Sequence, residues 1–107
     1  PIFSYDFLIA FKAGKDYMKM LDYIMPVASK IIITQFEIAN MDIIHHSQNP
    51  ENIKKYLTDK GFTRTEIIGE AHEAFQKLIS GQNRNLVVTG SLYLIGHLYK
   101  KIKTSSR

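Results

Sequence analysis

The sequence predicts an α/β domain built on a mostly parallel sheet that is covered by helices. Short apolar runs alternate with longer segments of helical period, and four such units fit into the 107 residues. The run at residues 30–34 is β-branched and apolar on both faces, as a strand between two helical layers must be. A chain of this length forms one domain around a single core.

The first half of the chain predicts two strands with a helix between them. A strand at residues 7–11 is followed by a turn at 12–16 and a helix that Pro26 should end or kink, because proline has no N–H to donate. The second strand covers residues 30–34. Residues 37–49 are rich in turn-forming side chains and predict a long loop. The apolar face of the helix consists of Tyr17, Leu21, Ile24, Met25 and Ala28.

The next unit has clear helix boundaries. Asn49 can cap a helix that has Pro50 at its first position, and Gly61 can end it. A short strand at residues 65–68 follows. The apolar stripe of this helix is formed by Ile53, Tyr56 and Leu57.

The last part predicts a helix, a strand and a closing helix. The helix covers about residues 70–80 and ends at Gly81, and the strand covers residues 86–89. Gly90 and Ser91 lead into the closing helix, whose first turn is apolar all round and is therefore predicted to be buried. The apolar face of the helix at 70–80 consists of Ala71, Ala74, Phe75, Leu78 and Ile79.

The composition indicates a soluble protein of a reducing compartment. No apolar stretch approaches the roughly 18 residues that a membrane span requires, so we expect no membrane partner. The chain has no cysteine, which excludes disulfides and thiolate chemistry and fits a cytoplasmic location. It begins without an initiator methionine or a signal sequence, and we expect it to be a piece of a longer chain.

The net charge of +4 does not indicate a nucleic-acid partner. The basic residues are dispersed, and no interleaving of basic and aromatic residues resembles a base-stacking platform. The one dense basic cluster closes the last helix, where cations complement the helix dipole. This cluster consists of Lys100, Lys101, Lys103 and Arg107.

Two loops are candidates for a ligand site. Gly90 and Ser91 follow the last strand and residues 13–16 follow the first, so both loops should lie at the carboxyl edge of the sheet, where open α/β folds bind ligands. The N–H groups at a helix start can receive a carboxylate or a phosphate. Ser91 is either a donor to such a ligand or the N-cap of its own helix, and spacing alone favours the cap. Lys15 is either an ammonium beside a substrate carboxylate or a solvated side chain.

Other chemical motifs are absent from the sequence. It contains no phosphate loop, no dinucleotide-binding glycine motif, no H-E-x-x-H and no nucleophile elbow, which predicts that the chain has no self-contained active site. His45 and His46 look like a metal pair, but adjacent helical side chains point about 100° apart and no further ligand lies at suitable spacing. His72 and His97 are isolated in sequence and are expected on helix surfaces.

Three segments resemble one enzyme family. Residues 86–96, LVVTGSLYLIG, resemble the closing signature of the folylpolyglutamate synthases and the bifunctional dihydrofolate synthases, V-[TS]-G-S-L-[YF]-L-[VI]-G. Residues 8–17, LIAFKAGKDY, resemble a family segment that ends in D-K-D-Y, with Gly14 in place of aspartate. Residues 31–36, IIITQF, match the second strand of the family and the turn after it. The resemblance runs in register through nearly the whole chain.

The resemblance implies a fold and an activity. The family belongs to the Mur ligase superfamily, which uses ATP to activate a carboxylate as an acyl phosphate and then joins it to an amine. Residues 1–107 resemble only the Rossmann-like C-terminal domain, apparently without its first strand and helix and without the N-terminal ATP-binding domain. The parent is then expected to add L-glutamate to the γ-carboxyl of tetrahydrofolate with ATP and Mg²⁺. The fragment alone is expected to bind no cofactor and to be inactive.

The superfamily likeness also implies site residues. Lys15 and Ser91 are expected to contact a glutamate carboxylate, while Asp16 and Gly90 shape their loops. The family often has an Arg-Ala pair after the second strand, whereas residues 37–41 read EIANM and contain no arginine.

The departures at Gly14 and Asn40 support an alternative, a non-catalytic Rossmann-like regulatory or interaction module. A sheet that lacks its first strand would expose an unpaired edge, so we also expect the fragment to self-associate.

Overall fold

A computed structural model describes residues 4–40 and 43–105, with the backbone alone for residues 38–40 and 100–105. The described residues form an α/β fold with one parallel sheet, one β-hairpin and helices on both faces of the sheet, which confirms the predicted fold class. The elements in chain order are β1 (Tyr5–Ile9), α1 (Met18–Ile24), β2 (Ala28–Ile33), β3 (Glu37–Asn40), β4 (Ile43–His46), α2 (Pro50–Asp59), β5 (Thr65–Ile67), α3 (Ala71–Ile79), β6 (Leu86–Thr89) and α4 (Leu92–Ser105).

The sheet has the strand order β5-β2-β1-β6, and each neighbouring pair is parallel. Parallel strands need crossover helices, and these place apolar layers on both faces of the central strands. In β1, Phe7 and Ile9 pack into one layer while Leu8 packs into the other. The alternation along one strand therefore supplies both halves of the core.

Each face of the sheet is covered by two helices. The first layer contains α1 and α2, and the second contains α3 and α4. The prediction that a β-branched second strand is buried on both sides is confirmed, because Ile32 faces one layer and Ile31 and Ile33 face the other, all fully buried. The helical residues that fill the layers are Leu21, Ile24, Ile53 and Leu57 on one face and Ala71, Ala74, Leu78, Leu94 and Leu98 on the other.

The predicted helix and strand ends of the second half are largely confirmed. Asn49 caps α2 by accepting a hydrogen bond from the Glu51 N–H at 3.0 Å, and Gly61 follows the helix with a φ of +88°. The strand expected at 65–68 is β5, and the helix expected at 70–80 is α3, each shorter by one or two residues. The helix α3 begins at the carboxylate cap of Glu70, which accepts from the N–H groups of His72 and Glu73.

The prediction of a long loop at residues 37–49 is wrong. The strands β3 and β4 form an antiparallel hairpin, and Glu37 pairs with His46 at its open end. The N–H of Ala13 donates to the His46 carbonyl at 2.8 Å, and the N–H of Gln48 donates to the Phe11 carbonyl at 2.6 Å. Pairing with a segment more than 30 residues away holds the hairpin, whereas the turn-forming composition reports local preference alone.

Three smaller expectations are also wrong in whole or in part. The first strand is β1 at Tyr5–Ile9 rather than residues 7–11. It begins earlier because the Asp6 N–H donates to the carbonyl of the residue just before β6, at 2.9 Å. Ala28 begins β2 instead of lying on α1, since the 3₁₀ turn Met25–Val27 containing Pro26 ends the helix, as proline was expected to do. The first turn of α4 is buried only in part, because Leu94 is fully buried whereas Leu92 remains 85% exposed.

None of the described helices combines the length and apolarity needed to cross a bilayer. The side chains of the basic cluster at residues 100–107 lie outside the described part of the chain.

A tyrosine–aspartate hydrogen bond ties α2 to α1. The Tyr56 hydroxyl donates to Asp22 Oδ1 at 2.6 Å, and this bond raises the pKa of Tyr56 to about 12. The ordinary pKa of an unfolded tyrosine is about 10. Because the folded state holds this proton more tightly, the stabilisation is fully present below pH 10 and is lost as the pH rises to about 12.

We predict that Asp22→Ala lowers the pKa of Tyr56 toward 10. The variant should also lose less stability than the parent as the pH rises from 10 to about 12, because it lacks the hydrogen bond that ionisation of Tyr56 breaks. Phenolate absorbance, taken as the difference between each protein and its Tyr56→Phe form, measures the pKa. Asp59→Ala, which removes a carboxylate from the last turn of the same helix α2, is the control. Superimposed titration curves for the parent and Asp22→Ala would contradict the assigned hydrogen bond.

The strand β6 forms one edge of the described sheet. An apolar groove of about 220 Å³ lies beside it, and Leu86 on the strand is 36% exposed. An exposed apolar strand edge is a template for pairing with another chain. The groove is lined by Phe75, Val88, Ile95, Leu98 and Tyr99.

We predict that the isolated chain self-associates through β6. Sedimentation velocity should show a concentration-dependent increase in mass, and Leu86→Lys should suppress it by placing a charge on the edge strand. Leu92→Lys is the matched control, because it adds the same charge to an exposed position on α4 outside the strand. A single monomeric species at high concentration would sink the prediction.

Candidate functional site

The two predicted ligand loops start side by side at the carboxyl edge of the sheet. In the parallel pair β1 and β6, Ile9 lies opposite Thr89, so Ala10 and Gly90 follow at neighbouring positions. Gly90 has a φ of +106°, and a Cβ there would lie 2.5 Å from the Ala10 carbonyl oxygen. No larger residue fits this place without displacing backbone. The glycine therefore brings the turn before Ser91 against the backbone at Ala10, where the segment that leads to the Lys15 loop begins.

Ser91 is the N-cap of α4. Its Oγ accepts a hydrogen bond from the Tyr93 N–H at 3.1 Å, and its carbonyl accepts from the Ile95 N–H at 3.3 Å. A serine hydroxyl has one donor hydrogen and two acceptor lone pairs. The cap therefore leaves the hydroxyl hydrogen of Ser91 available to a ligand, and the two roles considered from the sequence are compatible.

The loop between β1 and α1 is held by its own backbone and by Asp16. Gly14 has a φ of +85°, and the Lys15 N–H donates to the Lys12 carbonyl at 3.2 Å. The Asp16 carboxylate accepts from the Met18 N–H at 3.0 Å, which orders the start of α1. The Lys15 side chain is exposed, and it makes no ion pair and no bond to Ser91 within the described chain.

The hairpin adds residues that the sequence reasoning missed. The His45 ring on β4 stacks on the Tyr93 ring at a centroid distance of 4.6 Å and an angle of 21°. The Lys12 ammonium lies 5.7 Å from the centroid of Tyr93, and the Phe36 ring lies 6.0 Å from it. Its position directly after the strand predicted at residues 7–11 is the only local feature of the sequence that could have identified Lys12 as a candidate site residue. The contact with Tyr93 depends on the hairpin.

Apart from the two loops, a cleft of about 370 Å³ opens at the carboxyl ends of β2 and β5. At its wall His46 Nδ1 lies 3.2 Å from the Glu37 carboxylate. The Glu70 carboxylate also lines it, and the hydrogen bond from the His72 N–H lowers the pKa of this group. The lining residues are Gln35, Phe36, Glu37, His46, Ser47, Gly69, Glu70, Ala71 and His97.

The histidines do not assemble a metal site. His72 and His97, expected to be isolated, pack with ring centroids 4.7 Å apart because α3 and α4 are neighbours. Both histidines lie on helices, and their side chains are in contact although they are far apart in the sequence. His45 stacks on an aromatic ring, whereas the ring of His46 meets a carboxylate. Within residues 4–37 and 43–99, no three His, Cys, Asp or Glu side chains are grouped to hold a metal ion.

The described chain is an α/β domain whose last strand leads through Gly90 and Ser91 into a capped helix, and comparison with known proteins identifies its family. Residues 4–101 match the family model described as dihydrofolate synthetase, C-terminal domain, and the chain belongs to this family. The dihydrofolate synthetase of Saccharomyces cerevisiae is 31% identical over 99 residues, which cover 88% of this chain and 23% of that protein.

A solved structure shows the same fold. It is a bifunctional folylpolyglutamate synthase/dihydrofolate synthase from Yersinia pestis, crystallised with AMPPNP and a manganese ion. It matches with a TM-score of 0.75 at 10% sequence identity, over 94% of this chain and 22% of the other. The resemblance inferred from three segments is confirmed. The chain spans less than a quarter of the length of the relatives that it matches.

We predict that Gly90→Ala destabilises the domain by roughly 2–4 kcal/mol, because it adds a backbone clash to an unfavourable φ. Gly14→Ala is the matched control: its φ is also positive, but no atom lies within 4 Å of the added Cβ, so strain alone should cost about 1 kcal/mol. Urea unfolding followed by circular dichroism measures both. Equal losses in the two variants would show that the Ala10 contact does not restrict this turn.

Proposed function

We propose that this chain is the glutamate-binding C-terminal domain of an ATP-dependent ligase that joins L-glutamate to the γ-carboxyl of tetrahydrofolate. Two observations support the proposal together. The chain belongs to the family of the dihydrofolate synthetase C-terminal domain, and the segments that carry Lys15 and Ser91 both leave the sheet at the carboxyl edge, where Gly90 lies against Ala10. That edge is where open α/β folds receive their ligands.

The activation step is assigned to another part of a longer protein. The sequence has no phosphate loop, and it spans less than a quarter of its relatives. The Yersinia relative was crystallised with AMPPNP and manganese, which supports ATP and Mg²⁺ as requirements of the whole enzyme. We propose that an N-terminal ATP-binding domain forms the acyl phosphate and that this fragment alone is inactive and binds no cofactor. The lack of cysteine supports a cytoplasmic enzyme.

The domain would position the amino acid that attacks the acyl phosphate. In this proposal the Lys15 ammonium pairs with one glutamate carboxylate, and the Ser91 hydroxyl donates a hydrogen bond to the same group. Asp16 keeps the Lys15 loop in place through its bond to Met18, and Gly90 keeps Ser91 close to that loop. The amine of glutamate attacks the acyl carbon, and phosphate leaves as the amide forms. Orientation of the nucleophile is the contribution of this domain.

The family favours a second acceptor for the same chemistry. Both the matched family and the yeast relative are named for dihydrofolate synthesis. Because dihydrofolate itself carries a glutamate, we propose the dihydropterin acid that lacks this glutamate as the alternative acceptor. The two acceptors share the amino-acid substrate, so the Lys15 and Ser91 site serves either reaction. Assaying the full-length protein with each acceptor separates the two functions.

We predict that Lys15→Ala and Ser91→Ala, made in the full-length protein, each raise the KM for L-glutamate about 10-fold or more. One lost charge-assisted or hydroxyl hydrogen bond is worth roughly 1–3 kcal/mol, which corresponds to this change. Incorporation of labelled glutamate into the pterin product measures it, with ATP and the pterin acceptor at saturation.

Lys77→Ala is the control, because this lysine lies in the last turn of α3, away from the carboxyl edge. It should leave the KM for glutamate unchanged. If the two site variants keep the parent KM for glutamate, the site assignment fails. If the full-length protein incorporates no glutamate with either acceptor, the proposed reaction fails.

A further inference from the structure

We propose that Lys12 is a second carboxylate-binding residue that selects glutamate by its side-chain carboxylate. The inference rests on the proposed function, since it names the group that would bind the second carboxylate of the amino acid. Lys15 and Ser91 would hold one carboxylate, and Lys12 would hold the other.

The position of Lys12 places an ammonium group beside the Ser91 turn. The residue follows Phe11 at the end of the β1 segment, and its Nζ lies 5.7 Å from the ring centroid of Tyr93. Tyr93 lies two residues after Ser91 and donates its backbone N–H to the Ser91 hydroxyl oxygen at 3.1 Å. The side chain of Lys12 therefore packs on a residue in the first turn of α4, the helix that Ser91 caps.

The Tyr93 ring, over which the Lys12 ammonium group lies, is held in place by its neighbours. His45 stacks on one side of Tyr93, and the buried Phe36 lies 6.0 Å away. The backbone at Lys12 pairs with Ser47 next to the hairpin. A cation held over an aromatic ring at an exposed site gains only about 0.5–1 kcal/mol. This contact is enough to orient the ammonium group and too weak to prevent it from pairing with a carboxylate.

Within the side chains that the structure describes, neither lysine of the loop has a carboxylate partner. The ion pairs among the described side chains join His46 to Glu37, Lys55 to Asp59 and His72 to Glu70, and none involves Lys12 or Lys15. An ammonium group has three donors. Two ammonium groups from residues three apart, at the same edge of the sheet as a serine hydroxyl, complement the two carboxylates of a dicarboxylic amino acid. A neutral amino acid would leave one of them without a counter-charge.

The test compares L-glutamate with L-glutamine in the full-length protein, because the two differ at the side-chain carboxylate alone. For Lys12→Met we expect the KM for L-glutamate to rise roughly 10- to 100-fold, the loss of one charge-assisted hydrogen bond. The KM for L-glutamine should change less than about 3-fold, so that the preference for glutamate falls. Lys12→Arg, which keeps the charge, should retain most of the preference.

Two further variants separate charge from structure. Tyr93→Leu removes the ring beneath the ammonium and should raise the KM for glutamate by a smaller factor, while the KM for glutamine stays the same. Lys77→Met removes a lysine far from the site and should change neither KM. If Lys12→Met does not fold, Lys12→Gln takes its place in the same comparison.

The outcomes distinguish this inference from the function on which it rests. If the parent protein incorporates glutamate and the Lys12 variants keep its preference over glutamine, the role of Lys12 is overturned and the proposed ligase stands. Equal rises of the KM for both amino acids would also overturn it, because they would show a general effect on the loop. Failure of the parent protein to incorporate glutamate would instead overturn the proposed function.

Discussion

The close approach of β6 to β1 is the contact on which the candidate site depends. The two strands are parallel and in register, and they end at the same level, so the chain must turn immediately after each without collision. At Gly90 the space beside the Ala10 carbonyl admits a hydrogen atom and no methyl group. This restriction places the turn that leads to Ser91 and the start of α4 against the end of β1, from which the lysine-containing loop begins.

The hairpin acts as a second constraint on the same edge. Its open end donates and accepts backbone hydrogen bonds with the segment from Phe11 to Ala13, and His45 covers the ring of Tyr93. The loop after β1 and the turn after β6 are therefore joined both through the sheet and through the hairpin. A site that is already ordered loses less conformational entropy when a ligand binds, so such pre-organisation favours binding.

Charged side chains are distributed unevenly along the carboxyl edge of the sheet. The loop after β1 carries Lys12, Lys15 and the carboxylate of Asp16, whereas carboxylates and imidazoles line the ends of β2 and β5, where the bond from the His72 N–H lowers the pKa of Glu70. The β1 end of this edge is thus suited to bind an anion, whereas the ends of β2 and β5 are lined by carboxylates. An amino acid that carries two carboxylates would be drawn to the β1 end, because charges of opposite sign attract there.

Local signals in the sequence were sufficient for the fold class and for the position of the two candidate loops in the fold. Strand and helix periodicity, the cap at Asn49 and the glycines that end helices depend on neighbours within a few residues, so the sheet, α2, α3 and the carboxyl-edge loops could be predicted. The closing signature around Gly90 and Ser91 also identified the family. By contrast, the hairpin, the exposure of Leu92 and the pairing of His72 with His97 required the folded chain. Each depends on residues that are distant in sequence, as does the position of Lys12 over Tyr93, and only tertiary packing brings such residues together.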